Sequence, residues 1–139
     1  MKKLWLAGFT LLLFHCSNAQ QEVFNRLIGK WEITTQDNEK AFLEIVDSAN
    51  IFLIYDGKRK KCMDPTIDFS KTPHWFDFST TDGDSSIKIR TIVEIFNDDV
   101  IRWQLFLDED RSPHFTASKG EIMYLRKTKP SIITAVANH

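Results

Sequence analysis

Apolar and polar positions alternate along most of the chain after Gly29, and this alternation predicts β-strands. In the segment Ile87–Phe96, for example, most side chains at every second position are apolar. Short clusters of Asp, Asn, Gly and Ser separate such segments, and these residue types favour turns. The eight predicted strands are Trp31–Thr35, Ala41–Val46, Ile51–Tyr55, Lys61–Thr66, His74–Thr80, Ile87–Phe96, Val100–Leu107 and Glu121–Lys127.

The same pattern predicts one short helix, over Gln21–Ile28, because Phe24, Leu27 and Ile28 fall at helical spacing. The strands are joined mostly by short connections, which favours an antiparallel meander. Eight such strands can close into a barrel whose interior holds side chains or one small ligand. We therefore predict an all-β fold, a single eight-stranded antiparallel up-and-down β-barrel with a short N-terminal helix covering one end.

The first 19 residues have the order of a secretory signal peptide. Lys2 and Lys3 precede an apolar run from Leu4 to Phe14, and Ser17-Asn18-Ala19 supplies small residues for cleavage. This run is 11 residues long, whereas a spanning helix needs about 20. We predict a signal peptide over residues 1–19, a barrel domain over 20–128 and a loose tail over 129–139. The protein would then be secreted or periplasmic.

Cys16 leaves a second route open, because a cysteine after the apolar run can be the lipidated first residue of a bacterial lipoprotein. Lipoprotein processing requires a small residue before that cysteine, and His15 is not small. We therefore favour cleavage after Ala19. Cys62 is then the one cysteine of the mature chain, so an intramolecular disulfide is excluded and a buried, inert thiol is expected. We expect a monomer.

The charge balance argues against a nucleic-acid partner. The chain has 18 basic and 19 acidic residues, and two of the lysines lie in residues 1–19, which leaves a mature net charge of −3. Binding to phosphates needs a concentrated positive face instead. The one basic run, Lys58–Lys61, follows Asp56-Gly57 and is typical of a solvated hairpin turn. Contact with an anion or a membrane surface is the alternative for this run.

Two sets of residues resemble a bacterial lipocalin-like domain family. Gly29-Lys30-Trp31 is similar to the Gly-x-Trp opening of lipocalins, which follows a short helix. A longer resemblance in order and spacing extends to Lys127. It is carried by Asp64-Pro65-Thr66, Pro73, Asp77, Asp82-Gly83, Thr91–Ile95 with Asp98-Asp99, Arg111–Phe115 and Tyr124–Lys127. Val93 and Lys127 depart from the family's usual tyrosine and arginine.

The resemblance implies a lipocalin-like barrel, without an established activity or agreed catalytic residues. It also implies that a basic residue of the last strand packs over the first-strand tryptophan. Gly29, Trp31 and Lys127, or Arg126 in its place, would close one end of the barrel through a cation–π contact. Lipocalins at large bind small apolar molecules, although a fold alone does not fix a function.

Few residues suggest catalysis, and we expect no enzyme activity, no cofactor and no metal site. Cys62, Asp64 and His74 could form a nucleophile, an orienting acid and a base, but a buried thiol, a turn aspartate and a surface histidine explain them as well. His74 and His114 lie beside prolines in two loops that could meet at one barrel end. Two histidines fall short of the three or four ligands of a zinc site.

We predict a binding protein for a small apolar or amphipathic molecule held inside the barrel. The sequence leaves open whether the interior contains a cavity. The alternative is a filled barrel whose loops contact an envelope protein or a glycan, with Trp75, His74, Arg111 and His114 as exposed candidates. The predicted ligand-binding residues are Trp31, Ile33, Phe76, Phe78, Trp103 and Leu105.

Overall fold

The computed structural model describes residues 18–34, 38–107 and 109–130, which contain one short helix and one antiparallel sheet. The helix, α1, covers residues 18–27. The strands are β1 (Gly29–Thr34), β2 (Lys40–Ile45), β3 (Ile51–Tyr55), β4 (Lys58–Lys61), β5 (Met63–Asp68), β6 (His74–Asp82), β7 (Ser85–Ile95), β8 (Val100–Phe106) and β9 (Glu121–Lys127). Residues 1–17 of the predicted signal peptide and 131–139 of the predicted tail lie outside the described residues.

The strands follow one another round a nearly closed barrel. Their order in the sheet is β4-β3-β2-β1-β9-β8-β7-β6-β5, and neighbouring strands are antiparallel throughout. Only Cys62 separates β4 from β5 along the chain, so the two ends of the sheet meet at this residue. The backbone N–H of Cys62 donates to Ile51 O at 2.8 Å. The predicted all-β barrel with an N-terminal helix is confirmed.

The described residues form nine strands where the sequence predicts eight. Lys58–Lys61, predicted as a hairpin turn, forms β4, and the predicted fourth strand Lys61–Thr66 is divided at Cys62 between β4 and β5. β4 pairs with β3, and β5 pairs with β6 instead. The pairing with β6 shifts register between Met63 and Thr66, and Asp64 has a φ of 48°. This backbone turns the chain from one partner strand to the other, and Pro65 has no N–H to extend a ladder.

The barrel interior is filled by apolar side chains from every strand except β4 and β5, together with Cys62 at their junction and two residues of α1. The buried members are Phe24, Leu27, Trp31, Ile33, Leu43, Ile45, Ile51, Cys62, Phe76, Phe78, Ile89, Val93, Ile101, Trp103 and Leu125. Successive side chains of a strand point to opposite faces, so the predicted alternation places these residues together on the inner face.

α1 covers one end of the barrel and is fastened there through its C-terminal carbonyl groups. Such carbonyls lack partners within a helix. The indole Nε1 of Trp31 donates to Leu27 O at 2.8 Å, and Lys127 Nζ donates to Arg26 O at 3.2 Å. Gly29 connects helix and strand with a φ of 138°, a value that residues with a side chain rarely adopt. Helix, first strand and last strand are thereby joined.

Part of the outer face of β7 and β8 is also buried, because residues 109–120 cross it. We call these residues the strap. Ile92, Gln104 and Phe106 point outward between inward-facing neighbours and are at most 1% exposed. The side-chain amide of Gln104 donates to Thr116 O and Lys119 O, and its oxygen accepts from Thr116 N at 3.1 Å.

Arg111 fixes the start of the strap to the sheet. Its guanidinium group pairs with Asp77 and lies 4.0 Å from the ring centroid of Trp75. The side chains of Arg111 and Asp77 are only 10% and 18% exposed. Gly120 ends the strap where a β-carbon would lie 2.1 Å from Leu105 O, so only glycine fits. The strap is therefore anchored at both ends.

We predict that Arg111→Ala releases the strap and lowers the free energy of unfolding by about 2–4 kcal/mol, because it leaves the Asp77 carboxylate buried without its counter-ion. Hydrogen exchange at the Thr116 amide should accelerate more than exchange in the β1–β2 ladder. Urea unfolding and amide exchange measure the two effects.

Arg59→Ala is the matched control. Arg59 also pairs with a carboxylate, Glu44, and lies over a ring, Phe52, but its side chain is half exposed. Its removal should cost about 1 kcal/mol or less. Equal losses in both variants would contradict the role assigned to Arg111.

Candidate functional site

A groove of about 570 Å³ lies at the helix-covered end of the barrel, and we call it the rim groove. Four parts of the chain form its walls: α1, the connection into β6, the adjacent ends of β7 and β8, and the strap. The lining residues are Val23, Arg26, Thr72, Pro73, His74, Val93, Glu94, Ile95, Arg102, His114 and Phe115.

α1 contributes the face next to the one it buries. Phe24 and Leu27 point into the barrel and are almost fully buried. Val23 and Arg26 each precede one of them by one position, so they lie on the adjoining helix face and line the groove. Arg26 Nε also donates to Asp98 at 3.0 Å, which joins α1 to the turn between β7 and β8.

The connection from β5 to β6 is shaped by Asp68, whose carboxylate accepts from Ser70 N at 2.9 Å and from Ser70 Oγ. These hydrogen bonds from Ser70 lower the pKa of Asp68. The turn brings Lys71 O within 2.8 Å of His74 Nδ1. A carbonyl oxygen can only accept, so Nδ1 carries the proton in this contact.

The His74 ring is held on a second side as well. It packs edge-on against Phe69, with ring centroids 5.2 Å apart. No group in residues 18–34, 38–107 or 109–130 bonds to its Nε2, which is left free to accept a hydrogen bond or, when protonated, to donate one. The lining contains a second histidine, His114 of the strap. The two loops therefore meet at one barrel end, as the sequence suggested they could.

Arg102 is the most constrained charged group of the groove. Its guanidinium carbon lies 3.9 Å from the ring centroid of Phe115 and 5.3 Å from that of Phe96. Its Nη2 donates to Glu94, on the neighbouring strand. Its Nε is buried and has no hydrogen-bond partner among the described residues. The aromatic contacts fix the plane of the group, which still has unused N–H donors.

The lining combines apolar walls with an excess of positive charge. Two arginines, Arg26 and Arg102, face one acid, Glu94, among the described lining residues. Val23, Pro73, Ile95 and Phe115 supply apolar surface. A concave site with apolar walls and a few placed polar groups is the usual form of a small-molecule site.

The six residues predicted to bind a ligand in the interior lie elsewhere. Phe76, Phe78 and Trp103 pack on one another, with ring centroids 5.2 to 6.1 Å apart. Trp31 and Ile33 are buried beside the helix end and in the centre, and Leu105 is partly buried at the opposite end. None of the six lines the rim groove. The ring contacts of Phe76, Phe78 and Trp103 occupy the centre of the interior, so that a ligand bound by these residues stays a prediction.

The polar atoms of the two interior tryptophans are also engaged. Trp31 donates to the helix, and Trp103 Nε1 donates to Thr91 Oγ1 at 2.6 Å. Thr91 in turn donates to Phe76 O at 2.5 Å. Lys127 Nζ lies 5.1 Å from the Trp31 ring centroid, on the residue pair for which the family resemblance implied a cation–π contact. These interior contacts hold the barrel together and present no free donor to a ligand.

Cys62, Asp64 and His74 do not form a cluster. Met63, which follows Cys62, lies opposite Ser79 in the sheet. His74 is five residues from Ser79 along β6, a distance of about 16 Å at about 3.3 Å per residue. Cys62 is 1% exposed, and burial raises the pKa of its thiol to about 12. The thiol is therefore protonated and shielded at neutral pH.

The basic run Lys58–Lys61 is largely engaged in contacts within the barrel. Arg59 pairs with Glu44 at 2.7 Å. Lys60 Nζ donates to Thr81 O at 2.8 Å and bridges β4 to β6 across the seam of the sheet. Lys61 Nζ donates to Asn50 at 3.0 Å. The run is therefore a paired strand and not the predicted turn, and its side-chain contacts argue against a free anion-binding patch.

Among the described residues, no three His, Cys, Asp or Glu side chains are grouped to hold a metal ion. The same residues contain no helix that is both long and apolar enough to cross a membrane. Of the groove residues, His74 and His114 were candidates from the sequence, whereas Arg26, Arg102 and Phe115 were not. A weak signal for them existed, since Arg102 interrupts the apolar strand Val100–Phe106 and Phe115 follows a proline loop.

Comparisons with protein-family models, curated proteins and solved structures find no match to this chain.

We predict that Cys62 resists alkylation in the folded protein at pH 8, because its thiolate is disfavoured by burial. Iodoacetamide should modify it only in urea, as followed by peptide mass spectrometry. The raised pKa also means that its contribution to stability is complete below about pH 9 and is lost as the pH rises towards 12. Rapid labelling of the native protein would contradict this assignment.

Proposed function

We propose that this chain is an exported, monomeric, lipocalin-like protein that binds a small amphipathic molecule in the rim groove. The observation that carries the proposal is the groove itself, in which apolar walls, the guanidinium group of Arg102 and the free Nε2 of His74 line a space of about 570 Å³. A site of this size suits one small molecule, since ligand pockets commonly measure about 300–1,000 Å³.

The position of the groove supports binding without unfolding of the barrel. Its floor consists of strand ends that are already fixed in the sheet, Val93–Ile95 of β7 and Arg102 of β8. Its sides are α1, anchored by Trp31 and Lys127, and the strap, anchored by Arg111. A site with fixed walls loses little side-chain entropy on binding.

Export is proposed from the charge and hydropathy order of residues 1–19, and the lipocalin-like assignment from Gly29-Lys30-Trp31 and the later segments.

We expect the full chain, expressed in a bacterium with two membranes, to be recovered from the periplasm with Gln20 as its first residue. Intact mass and N-terminal sequencing measure this. Substituting Ala19→Arg should block processing, because signal peptidase requires a small residue there. A product beginning at a lipid-modified Cys16 would contradict cleavage after Ala19.

A titration with the neutral dye N-phenyl-1-naphthylamine tests small-molecule binding. We expect saturable fluorescence enhancement, which Val23→Trp weakens about tenfold or more because the larger ring fills the groove. Val46→Trp is the matched control, since Val46 is an exposed valine outside the groove.

Leu105→Trp separates the groove from the barrel interior, because Leu105 faces inward at the opposite end. Binding lost in Leu105→Trp but kept in Val23→Trp would place the ligand inside the barrel and overturn the groove assignment. Absence of saturable binding in the wild type would remove the small-molecule function.

A protein-interaction function is the second candidate, supported by exposed aromatic residues on the outer face. Phe96 and Tyr124 are about half exposed and have parallel rings with centroids 6.2 Å apart. Of the four residues proposed from the sequence, Arg111 pairs with Asp77 of β6. Trp75 and His74 are partly buried, and His114 is exposed. Phe96 and Tyr124 are therefore the better positions to test for this function.

A further inference from the structure

We infer that the rim groove selects anionic amphiphiles, molecules that carry a carboxylate, sulfonate or phosphate on an apolar body. This inference rests on the proposed function and assigns the class of ligand to it. The charge of the ligand would be recognised by Arg102 and Arg26, and its body would contact Val23, Pro73, Ile95 and Phe115.

Arg102 has the geometry of an anion-binding group. Guanidinium recognises carboxylate and phosphate groups through parallel N–H donors in one plane. Contacts with Phe115 and Phe96 hold that plane in place. Glu94 accepts from Nη2, and the buried Nε has no acceptor among the described residues. Because Nε is closed to solvent, a ligand oxygen would bind at the exposed edge of the guanidinium group, whose side chain is 27% exposed.

The existing acidic partners do not neutralise the groove. Glu94 is the one acid among the described lining residues, and its side chain is 42% exposed. Asp98, the partner of Arg26, is 82% exposed, and ion pairs of such exposure contribute little. Arg26 can therefore turn towards a bound anion at small cost. His74 Nε2 and His114 add two groups that can donate a hydrogen bond when protonated.

The apolar walls determine that the ligand is an amphiphile rather than a simple inorganic anion. Val23 and Arg26 lie on the same face of α1, and Phe115 of the strap covers Arg102. Charged and apolar groups therefore face the same space. A small hydrated anion would leave the apolar surface in water, whereas an attached hydrocarbon body would bury it.

Two dyes with the same ring system test the inference. 1-Anilinonaphthalene-8-sulfonate differs from N-phenyl-1-naphthylamine by its sulfonate group. We expect the wild-type full chain to bind the sulfonate at least about tenfold more tightly, as charge-assisted hydrogen bonds predict. Arg102→Gln should remove most of this preference, measured as the ratio of the affinities for the two dyes. Arg26→Gln should have a smaller effect.

Arg59→Gln is the matched control, because Arg59 likewise pairs with a glutamate and lies over a phenylalanine but is outside the groove. It should retain the preference. Near-ultraviolet circular dichroism establishes whether each variant is folded. If Arg102→Gln does not fold, Arg102→Lys takes its place. Decanoate should displace the sulfonate dye more effectively than decanol, and sulfate at the same concentration should not displace it.

The outcomes separate the two proposals. Equal affinity for the two dyes, or a preference that survives Arg102→Gln in a folded protein, would overturn the anion inference while the groove remains a neutral binding site. Displacement by inorganic sulfate alone would overturn the amphiphile class. Failure of both dyes to bind would remove the proposed function and this inference together.

Discussion

The barrel depends on the capping of α1 by side chains of its first and last strands. Trp31 and Lys127 donate to Leu27 O and Arg26 O, respectively. Carbonyl groups that would be unpaired at the helix end thus connect α1 to β1 and β9. Trp31 is fully buried, and its indole brings an N–H into the core that the helix carbonyl satisfies. The helix, in return, covers the apolar end of the barrel with Phe24 and Leu27.

The second organising constraint is that β7 and β8 are buried on both faces where the strap crosses them. A strand of an antiparallel barrel ordinarily has one face in water, yet Ile92 and Gln104 are fully buried on the outer face. The strap makes this possible, because Gln104 bonds to its backbone and Arg111 pairs with Asp77. Helix and strap approach each other where these strands end, and the rim groove is the space between them.

Much of the fold could be predicted from alternation, because each strand has one inner face that must be apolar. The division of the fourth predicted strand could not, since it depends on the positive φ of Asp64 and a change of partner at Cys62. The burial of Ile92 on the outer face could not be predicted from alternation either. Ile92 and its neighbour Val93 point to opposite faces, and both are buried because the strap covers Ile92. A polar residue such as Gln104 carries no sequence signal for burial.

The site was harder to predict than the fold, because its residues come from separate segments and none forms a local motif. Of the predicted interior set, Phe76, Phe78 and Trp103 point inward as expected and pack against one another. Patterning reports which face a side chain occupies, whereas the space left between side chains depends on their packing in three dimensions.

A filled barrel has a consequence for where polar recognition can occur. A charge in the interior would require full desolvation, which costs several kcal/mol for each unpaired ion. At the rim, Arg102 keeps 27% of its side chain exposed, pairs with Glu94 and still lies against Phe115. One face of the guanidinium group is therefore covered by an aromatic ring, while part of the side chain stays in contact with water. Such a boundary is where this fold can combine an apolar surface with fixed donors.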